Sequence, residues 1–505
     1  MSGLAGNGRT LLALVAILFA GVAAWQLEAD RRGLEIEPLA IPGGTPATLY
    51  RRDDLQSAPV VAIAHGFAGS RQLMESFALT LARAGYLVVS WDLLGHGRNP
   101  MPMSGDVTTI DGTTRLLMDE ARRVAEVALA LPQSDGRLAW LGHSMASDII
   151  VRQALEPRAA QAAVAISMFS EAVTAEAPPN LLVIVGALET RLREEAVRAL
   201  QLADPAAQPG TTVGDPAAGT GRRAVFAPGV EHVGVLYSQR SLREARAWLD
   251  ASFGRSSEGP VATRGGWIAL LLVAIIALGW PLARLLPAGS APPPRLATRS
   301  FCIVALAPAL IVPLLLWPVE TRVLPVLVAD YLVLHFALNG ALTLLLFRLQ
   351  GGAGTLTGQL PARALWVAGV VALFGIAVFG GALDRYVASF FPTAGRAAII
   401  AGLALGAVPL MLGDALLTEG GRAGVGRVLL VRGALFASLG LAVALNFEAL
   451  FFLVIILPVI LLFFLLFGTM SGWVGRRTGL PPAGGIGIGL VLAWALGVTF
   501  PLFAP

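Results

Sequence analysis

Leu138-Ala139-Trp140-Leu141-Gly142-His143-Ser144-Met145-Ala146-Ser147-Asp148-Ile149-Ile150 is the stretch on which the reading of the fold turns. Four apolar residues lead into Gly142, and from Ala146 to Leu155 the pattern changes to a helical one. A serine flanked at both second neighbours by small residues can sit on a tight strand-to-helix turn, with its hydroxyl projecting at the top of a sheet. Here the flanks are Gly142 and Ala146. A lone Gly-x-Ser-x-Ala occurs by chance in many chains, so the surroundings must decide.

Working outward, the same alternation repeats. Short apolar runs, many of them rich in β-branched residues, fall at 59–64, 86–90, 138–141, 162–166, 181–185 and 224–226. Helix-period segments lie between them at 70–84, 112–131, 145–155, 190–202 and 239–253. Strands buried on both faces and alternating with helices predict an α/β fold, a doubly wound and mostly parallel sheet. In such sheets the ligand site lies beyond the carboxyl ends of the strands. The chemistry-bearing residues follow those ends: His65-Gly66-Phe67-Ala68-Gly69, Asp92-Leu93-Leu94-Gly95-His96-Gly97, Ser144, Gly186-Ala187-Leu188-Glu189, and Pro228-Gly229-Val230-Glu231-His232-Val233.

In order and spacing this set resembles the α/β-hydrolase family over about residues 45–253, slightly under half of the chain. No single motif is specific, but the combination is. The resemblance implies a serine hydrolase with Ser144 as nucleophile and His232 as base. Glu189 is the expected acid, with Glu171 and Asp215 as alternatives, because it preserves the order serine, acid, histidine. The oxyanion hole maps onto the backbone N–H groups of Phe67 and Met145. His65, Gly66, His143, Asp92 and His96 are expected to shape the motif loops. Leu94 departs from the pattern, since many members carry arginine there, and this predicts the loss of a structural ion pair. The space between the runs at 162–166 and 181–185 is about fourteen residues, too short for a lid domain. The histidines have no zinc-ligand spacing, so neither metal nor cofactor is expected.

The rest of the chain is of another kind. Of 505 residues only 14% are charged, against about 25% in soluble domains. Residues 28–260 mix charged and apolar positions, whereas 265–505 carry one long apolar run after another. A helix needs about 20 apolar residues to span a bilayer. Runs of that kind lie near 266–286, 300–317, 323–347, 364–383, 396–417, 428–446, 449–467 and 485–503. Another runs from Thr10 to Trp25. It is a transmembrane anchor or a signal peptide; Val22-Ala23-Ala24 resembles a cleavage site, but no polar region precedes it, which favours the anchor. The expected organisation is an anchor or signal peptide at 1–27, a hydrolase domain at 28–258, and an all-α membrane bundle of about eight helices at 264–505.

Arginines orient this bundle. With a cytoplasmic N-terminus, the inner loops hold Arg284, Arg295, Arg299, Arg348, Arg363, Arg422, Arg427, Arg432, Arg476 and Arg477. The outer loops hold Arg322, Arg385 and Arg396. Ten against three is a positive-inside bias. It predicts a multi-pass protein of the inner or plasma membrane, with the hydrolase domain on the periplasmic or extracellular face. The net charge of +4 is carried by arginine alone. The arginines are scattered or sit in short loops, which argues against nucleic acid as a partner. Cys302 is the single cysteine, so no intrachain disulfide can form.

The expected function is hydrolysis of carboxylic esters or thioesters, lipid-linked ones among them, through an acyl-enzyme, with the bilayer and such an ester as partners. A peptidase or amidase would use the same triad. Asp330, His335, Asn339 and Asp414, polar residues within apolar runs, motivate a different class: a transporter-like protein carrying a hydrolase-fold accessory or binding domain.

Overall fold

The computed structural model describes residues 2–104, 106, 110–156, 160–289, 295–320, 324–326, 328–352 and 362–504. The chain divides into two compact units. One comprises Ala23–Ala269, Leu383–Ser389 and Pro501–Pro505; the other comprises Met1–Val22, Leu270–Ala382 and Phe390–Phe500. The first holds the sheet, and it takes in two short segments from far beyond the expected hydrolase span.

In the sheet unit the described strands are β1 (Leu34–Ala40), β2 (Pro46–Arg52), β3 (Ala58–Ala64), β4 (Leu87–Trp91), β5 (Ser134–His143), β6 (Ala162–Ile166), β7 (Leu181–Gly186), β8 (Thr212–Val213) and β9 (Arg222–Ala227). They form one sheet in the order β1-β2-β4-β3-β5-β6-β7-β9-β8. From β4 to β9 neighbouring strands are parallel. Every residue of β3, β4, β6 and β7 is buried, which is why these strands read as unbroken apolar runs. The antiparallel additions at the two ends were not predicted. β1, Leu-Glu-Ile-Glu-Pro-Leu-Ala, leaves most of its positions exposed or half-buried. Its Pro38, which cannot donate a ladder hydrogen bond, is tolerated because the strand is an edge.

Helix α1 (Ser2–Ala29) precedes the sheet. The connections between strands carry α2 (Glu75–Arg83), α3 (Arg115–Leu129), α4 (Met145–Gln153) and α5 (Thr190–Gln201), and α6 (Gln239–Phe253) follows β9. On one face, Val61, Ile63, Val88, Leu141, Val164 and Ile184 pack in a single core with Phe77, Leu81, Trp248 and Leu249 of α2 and α6. Burying each such side chain contributes roughly 1.5–3 kcal/mol. The result is a rigid platform, and the loops that carry the candidate site leave it at the carboxyl ends of β3 to β9.

The second unit is helical: α7 (Gly265–Leu282), which begins in the sheet unit, α8 (Thr298–Leu316), α9 (Ala329–Phe347), α10 (Ala362–Leu373), α11 (Gly380–Tyr386), α12 (Ala397–Leu417), α13 (Val425–Leu445), α14 (Phe447–Thr478) and α15 (Pro481–Thr499). Among the described residues nine stretches are long and apolar enough to cross a membrane, the first at Gly8–Ala29 and the remaining eight after the sheet. Glycine brings two of these helices close. A Cβ on Gly485 would stand 2.7 Å from the Met411 carbonyl oxygen, and one on Gly489 would stand 2.8 Å from the Val408 Cα. Small residues at such a seam let helix backbones approach where apolar burial gives no preference.

Several arginines lie elsewhere than the sequence suggested. Arg432 is not in a loop: α13 begins at Val425, and Arg432 pairs with Asp414 of α12 at 3.2 Å. Arg396 is fully buried at the start of α12 and donates to the carbonyls of Gly497 and Phe500. Arg322 lies outside the described residues. Two other polar residues of the apolar runs also have partners. Asp330 accepts from the Leu324 N–H at 2.8 Å, and His335 lies between the Tyr331 hydroxyl at 3.2 Å and Ser438 Oγ at 3.1 Å. A polar group buried among apolar side chains is costly without a hydrogen bond, and the protein supplies one to each.

Candidate active site

Strand β5 ends at His143, and α4 starts at Met145. Ser144, between them, adopts φ 53° and ψ −119°. Non-glycine residues seldom take positive φ, and such strain collects at functional sites. The turn is held on both sides. The Ser144 N–H donates to the Ile166 carbonyl at 2.8 Å, and the Ser144 carbonyl accepts from the Ser147 N–H at 2.8 Å and the Ser147 hydroxyl at 2.6 Å. The chain can turn this sharply because Gly142 has no side chain: a Cβ there would stand 2.6 Å from the Ala146 carbonyl oxygen.

His232 follows β9, and its Nε2 lies 2.9 Å from Ser144 Oγ. On the other side of the ring, Nδ1 lies 2.6 Å from Glu189 Oε1. With the proton on Nδ1 donated to the carboxylate, Nε2 is left to accept the serine proton. The Glu189 side chain is 6% exposed and that of His232 41%, so the acid is sheltered while the base meets solvent. Glu189 Oε2 accepts two further hydrogen bonds, from Ser167 Oγ at 2.8 Å and from the Gly186 N–H at 2.6 Å. Burial opposes ionisation of this carboxyl, but the hydrogen bonds from His232, Ser167 and Gly186 outweigh it and hold Glu189 below the usual carboxylate range. The two alternative acids are elsewhere. Glu171 is exposed in the turn after β6, and Asp215 accepts from the Ala217 N–H in a surface turn.

The remaining motif residues bind the loops to one another. His65 Nδ1 donates to the Gly66 carbonyl at 2.8 Å, and its Nε2 accepts from the Leu93 N–H at 3.1 Å. Burial holds the His65 imidazole neutral, well below its ordinary pKa. His143 Nε2 donates to the His232 carbonyl at 2.9 Å. Burial, reinforced by the nearby His232, pushes His143 down to about 3, so it stays a neutral donor. His96 donates through Nδ1 to the Leu94 carbonyl at 2.9 Å, and its ring meets those of His65 and Phe67 edge-on. Gly66 sits directly against the elbow: a Cβ there would stand 2.9 Å from His143 Nδ1 and 3.0 Å from Ser144 Cβ.

Asp92 is fully buried and accepts from the Arg71 N–H at 2.8 Å, from the Arg71 guanidinium and from the Arg98 N–H at 2.9 Å. Arg71 thus forms an ion pair with Asp92 in this loop, where Leu94 carries no charge. Of the two residues expected to form the oxyanion hole, Met145 opens α4, where first-turn N–H groups have no intrahelical acceptor. Phe67 lies in the loop between Gly66 and Ala68, the latter at φ 56°.

Residues 56–212 match the family model described as serine aminopeptidase, S33. No curated protein sequence matches the chain. Solved structures similar to it include a dienelactone hydrolase from Anabaena variabilis, at 18% identity over 43% of this chain and 98% of that one, with a TM-score of 0.33. A membrane phospholipase A, described as a bacterial virulence factor, matches at 15% identity over 50% of this chain and 99% of that one, with a TM-score of 0.32. An epoxide hydrolase from an endophytic Streptomyces matches at 15% identity over 44% and 97%, with a TM-score of 0.31.

Proposed function

We propose that the sheet-bearing part of the chain is an α/β-hydrolase domain and that the protein is a membrane-anchored serine hydrolase that cleaves carboxylic esters or thioesters through an acyl-enzyme. The observation that carries the reading is the continuous hydrogen-bond line Ser144 Oγ–His232–Glu189 at the carboxyl edge of a parallel sheet. Ser144 Oγ attacks the carbonyl carbon while His232 Nε2 takes its proton. The N–H groups of Phe67 and Met145 receive the negative charge that grows on the carbonyl oxygen. Collapse of the tetrahedral intermediate breaks the bond to the leaving group, which is protonated by His232. Water, deprotonated by the same nitrogen, then releases the acid and restores Ser144.

An apolar acyl group suits the surroundings. Phe169, Leu188 and Val233 are 64%, 66% and 46% exposed, and they sit on the loops that follow β6, β7 and β9, the three strands that succeed β5 in the sheet order. Helices able to cross a membrane precede and follow the domain, which makes a membrane-borne ester the favoured substrate. The aminopeptidase description of the matching family model supports a second reading, cleavage of a peptide or amide by the same triad.

The full-length protein in detergent should take up a fluorophosphonate at Ser144 and turn over p-nitrophenyl esters faster than aminoacyl p-nitroanilides. Ser144→Ala should abolish labelling and lower turnover on the order of a million-fold. Undiminished labelling of that variant would remove Ser144 as nucleophile, and a preference for the anilides would install the peptidase reading.

A further inference from the structure

The compact unit that holds the sheet also includes Leu383–Ser389 and the stretch from residue 501, and both are bonded to the loops beside the nucleophile. Asp384 grips Arg98 through both carboxylate oxygens, at 2.8 and 2.7 Å, across 286 residues of sequence. Its carbonyl also accepts from Gln72 at 3.4 Å. Five residues on, the Ser389 N–H donates to Ser70 Oγ at 3.0 Å, and the Ser389 hydroxyl donates to the Gln72 amide oxygen at 3.2 Å. Ser70 is 1% exposed and Ser389 7%, so water does not compete freely for this bond. The second segment pairs with the loop after β4: the Leu502 N–H donates to the Gly95 carbonyl at 2.9 Å, and the Met103 N–H donates to the Leu502 carbonyl at 2.8 Å.

These grips fall on one connected framework. Arg98 and Arg71 meet at the buried Asp92 carboxylate. Leu93, the next residue, is bonded to His65, and His65 to Gly66. Gly66 packs against Ser144 itself. A displacement at Arg98 or Ser70 therefore reaches the loop beside the nucleophile through hydrogen bonds and close packing. Misplacing a reacting group by about 1 Å can lower a rate about a hundredfold.

We infer that Asp384 and Ser389 are positioning residues for the hydrolase site: they fix the 65–72 and 92–103 loops, so the domain reaches its working geometry only with a segment from beyond the hydrolase region seated on it. This inference rests on the hydrolase reading above. Charge-assisted hydrogen bonds are shorter and stronger than neutral ones, and Arg98 Nη2 reaches both Asp384 oxygens, which suits the pair to alignment.

The test uses the full-length chain in detergent micelles, an excess of fluorophosphonate probe, and p-nitrophenyl butyrate as substrate. The labelling end point counts folded sites, and the labelling rate constant reports how well each one is arranged. Asp384→Ala should keep the end point and KM near wild type while the labelling rate and kcat fall roughly 10- to 100-fold. Exchanging the pair, Arg98→Asp with Asp384→Arg, should restore most of the rate. Wild-type rates in Asp384→Ala overturn the inference. So does a loss confined to the end point, or an exchanged pair no faster than Asp384→Ala. Wild-type protein that takes up no probe sinks the hydrolase reading itself and this inference with it, which tells the two failures apart.

Discussion

Glu189 divides its two oxygens between two tasks. Oε1 faces His232 Nδ1, while Oε2 is held by Ser167 and the Gly186 N–H. Removing its charge while keeping its shape, Glu189→Gln, should leave the fold intact and cut kcat on the order of 10⁴-fold, because the imidazole loses the partner that fixes its tautomer. Glu171→Gln should leave the rate unchanged; the reverse order of severity would move the acid to Glu171. Ser167 supports the ionised form of Glu189, so Ser167→Ala should raise that pKa toward the ordinary range. The Glu189 carboxyl carbon, followed by NMR, should then titrate at higher pH, and an unmoved titration would show that Ser167 only fills space. Stability follows the same sign. A carboxyl held below its ordinary value of 4.5 stabilises the fold above that pH, and the contribution is lost as pH falls through the lowered pKa. Ser144, Glu189 and His232 could be read from the sequence as strand-end residues, because each follows an apolar run closely. Ser167 could not, since a single serine after a strand has no signature until the fold sets it beside a carboxylate. Asp384 and Ser389 lie still further from any signal, hundreds of residues from the loops they hold.

At the scale of elements, the elbow is a close approach that a single methyl group would block. A Cβ on Gly142 meets the Ala146 carbonyl oxygen and, at 2.8 Å, Ile150 Cγ1. Gly142→Ala must therefore move β5 and α4 apart, and overpacking of this kind costs about 1–3 kcal/mol, occasionally more. Denaturant unfolding of the variant should show a lowered midpoint, and its labelling rate should fall as well, because the displacement lies at Ser144. Ala146→Gly gives the commoner spacing of the motif and should cost the helix-propensity difference, about 1 kcal/mol, plus about 1 kcal/mol for the buried methyl group, with the labelling rate preserved. Equal behaviour of the two variants would mean that the approach at Gly142 is not what holds the turn. The buried strands were legible because both of their faces are apolar. β1 and β2 were not, because an edge strand that faces water on one side breaks the run with Glu35, Glu37, Arg51 and Arg52. Arg432 was misplaced for the opposite reason: a charge near an apolar run reads as a loop residue until its partner, here Asp414 one helix earlier, is seen to lie within reach.

At the scale of the whole molecule, the side of the membrane that the hydrolase domain occupies can be argued by two routes that use different residues. The first is the arginine bias. With a cytoplasmic N-terminus, and with Arg432 placed inside α13 and Arg322 and Arg396 set aside, Arg284, Arg295, Arg348 and Arg422, together with Arg299, Arg363, Arg427, Arg476 and Arg477 in the end turns of their helices, would stand on the inner side against Arg385 at the end of α11 on the outer; polar loops rich in arginine stay cytoplasmic. The second is parity. If each of the nine apolar stretches crosses once, residues 30–264 follow the first crossing, Leu383–Ser389 spans the far end of the fifth at Ala362–Tyr386, and residues 501–504 follow the ninth at Pro481–Thr499. All three counts are odd, so all three segments emerge on one side, as the bonds from Asp384 to Arg98 and from Leu502 to Gly95 require. Losing any one crossing between residues 265 and 383 would put Asp384 on the opposite side from Arg98 and break that agreement. The expected outcome is an outward-facing hydrolase domain. An alkaline phosphatase fused after Glu258 or after Ala504 should be active, and one fused at Arg295 inactive, while a reporter that works only in the cytoplasm should be active at Arg295 and silent at the other two points. Opposite activities at Glu258 and Ala504 would break the parity argument. The same activity at both with Arg295 also active would remove the crossing at Gly265–Leu285. A complete inversion would keep the parity and put the hydrolase domain in the cytoplasm.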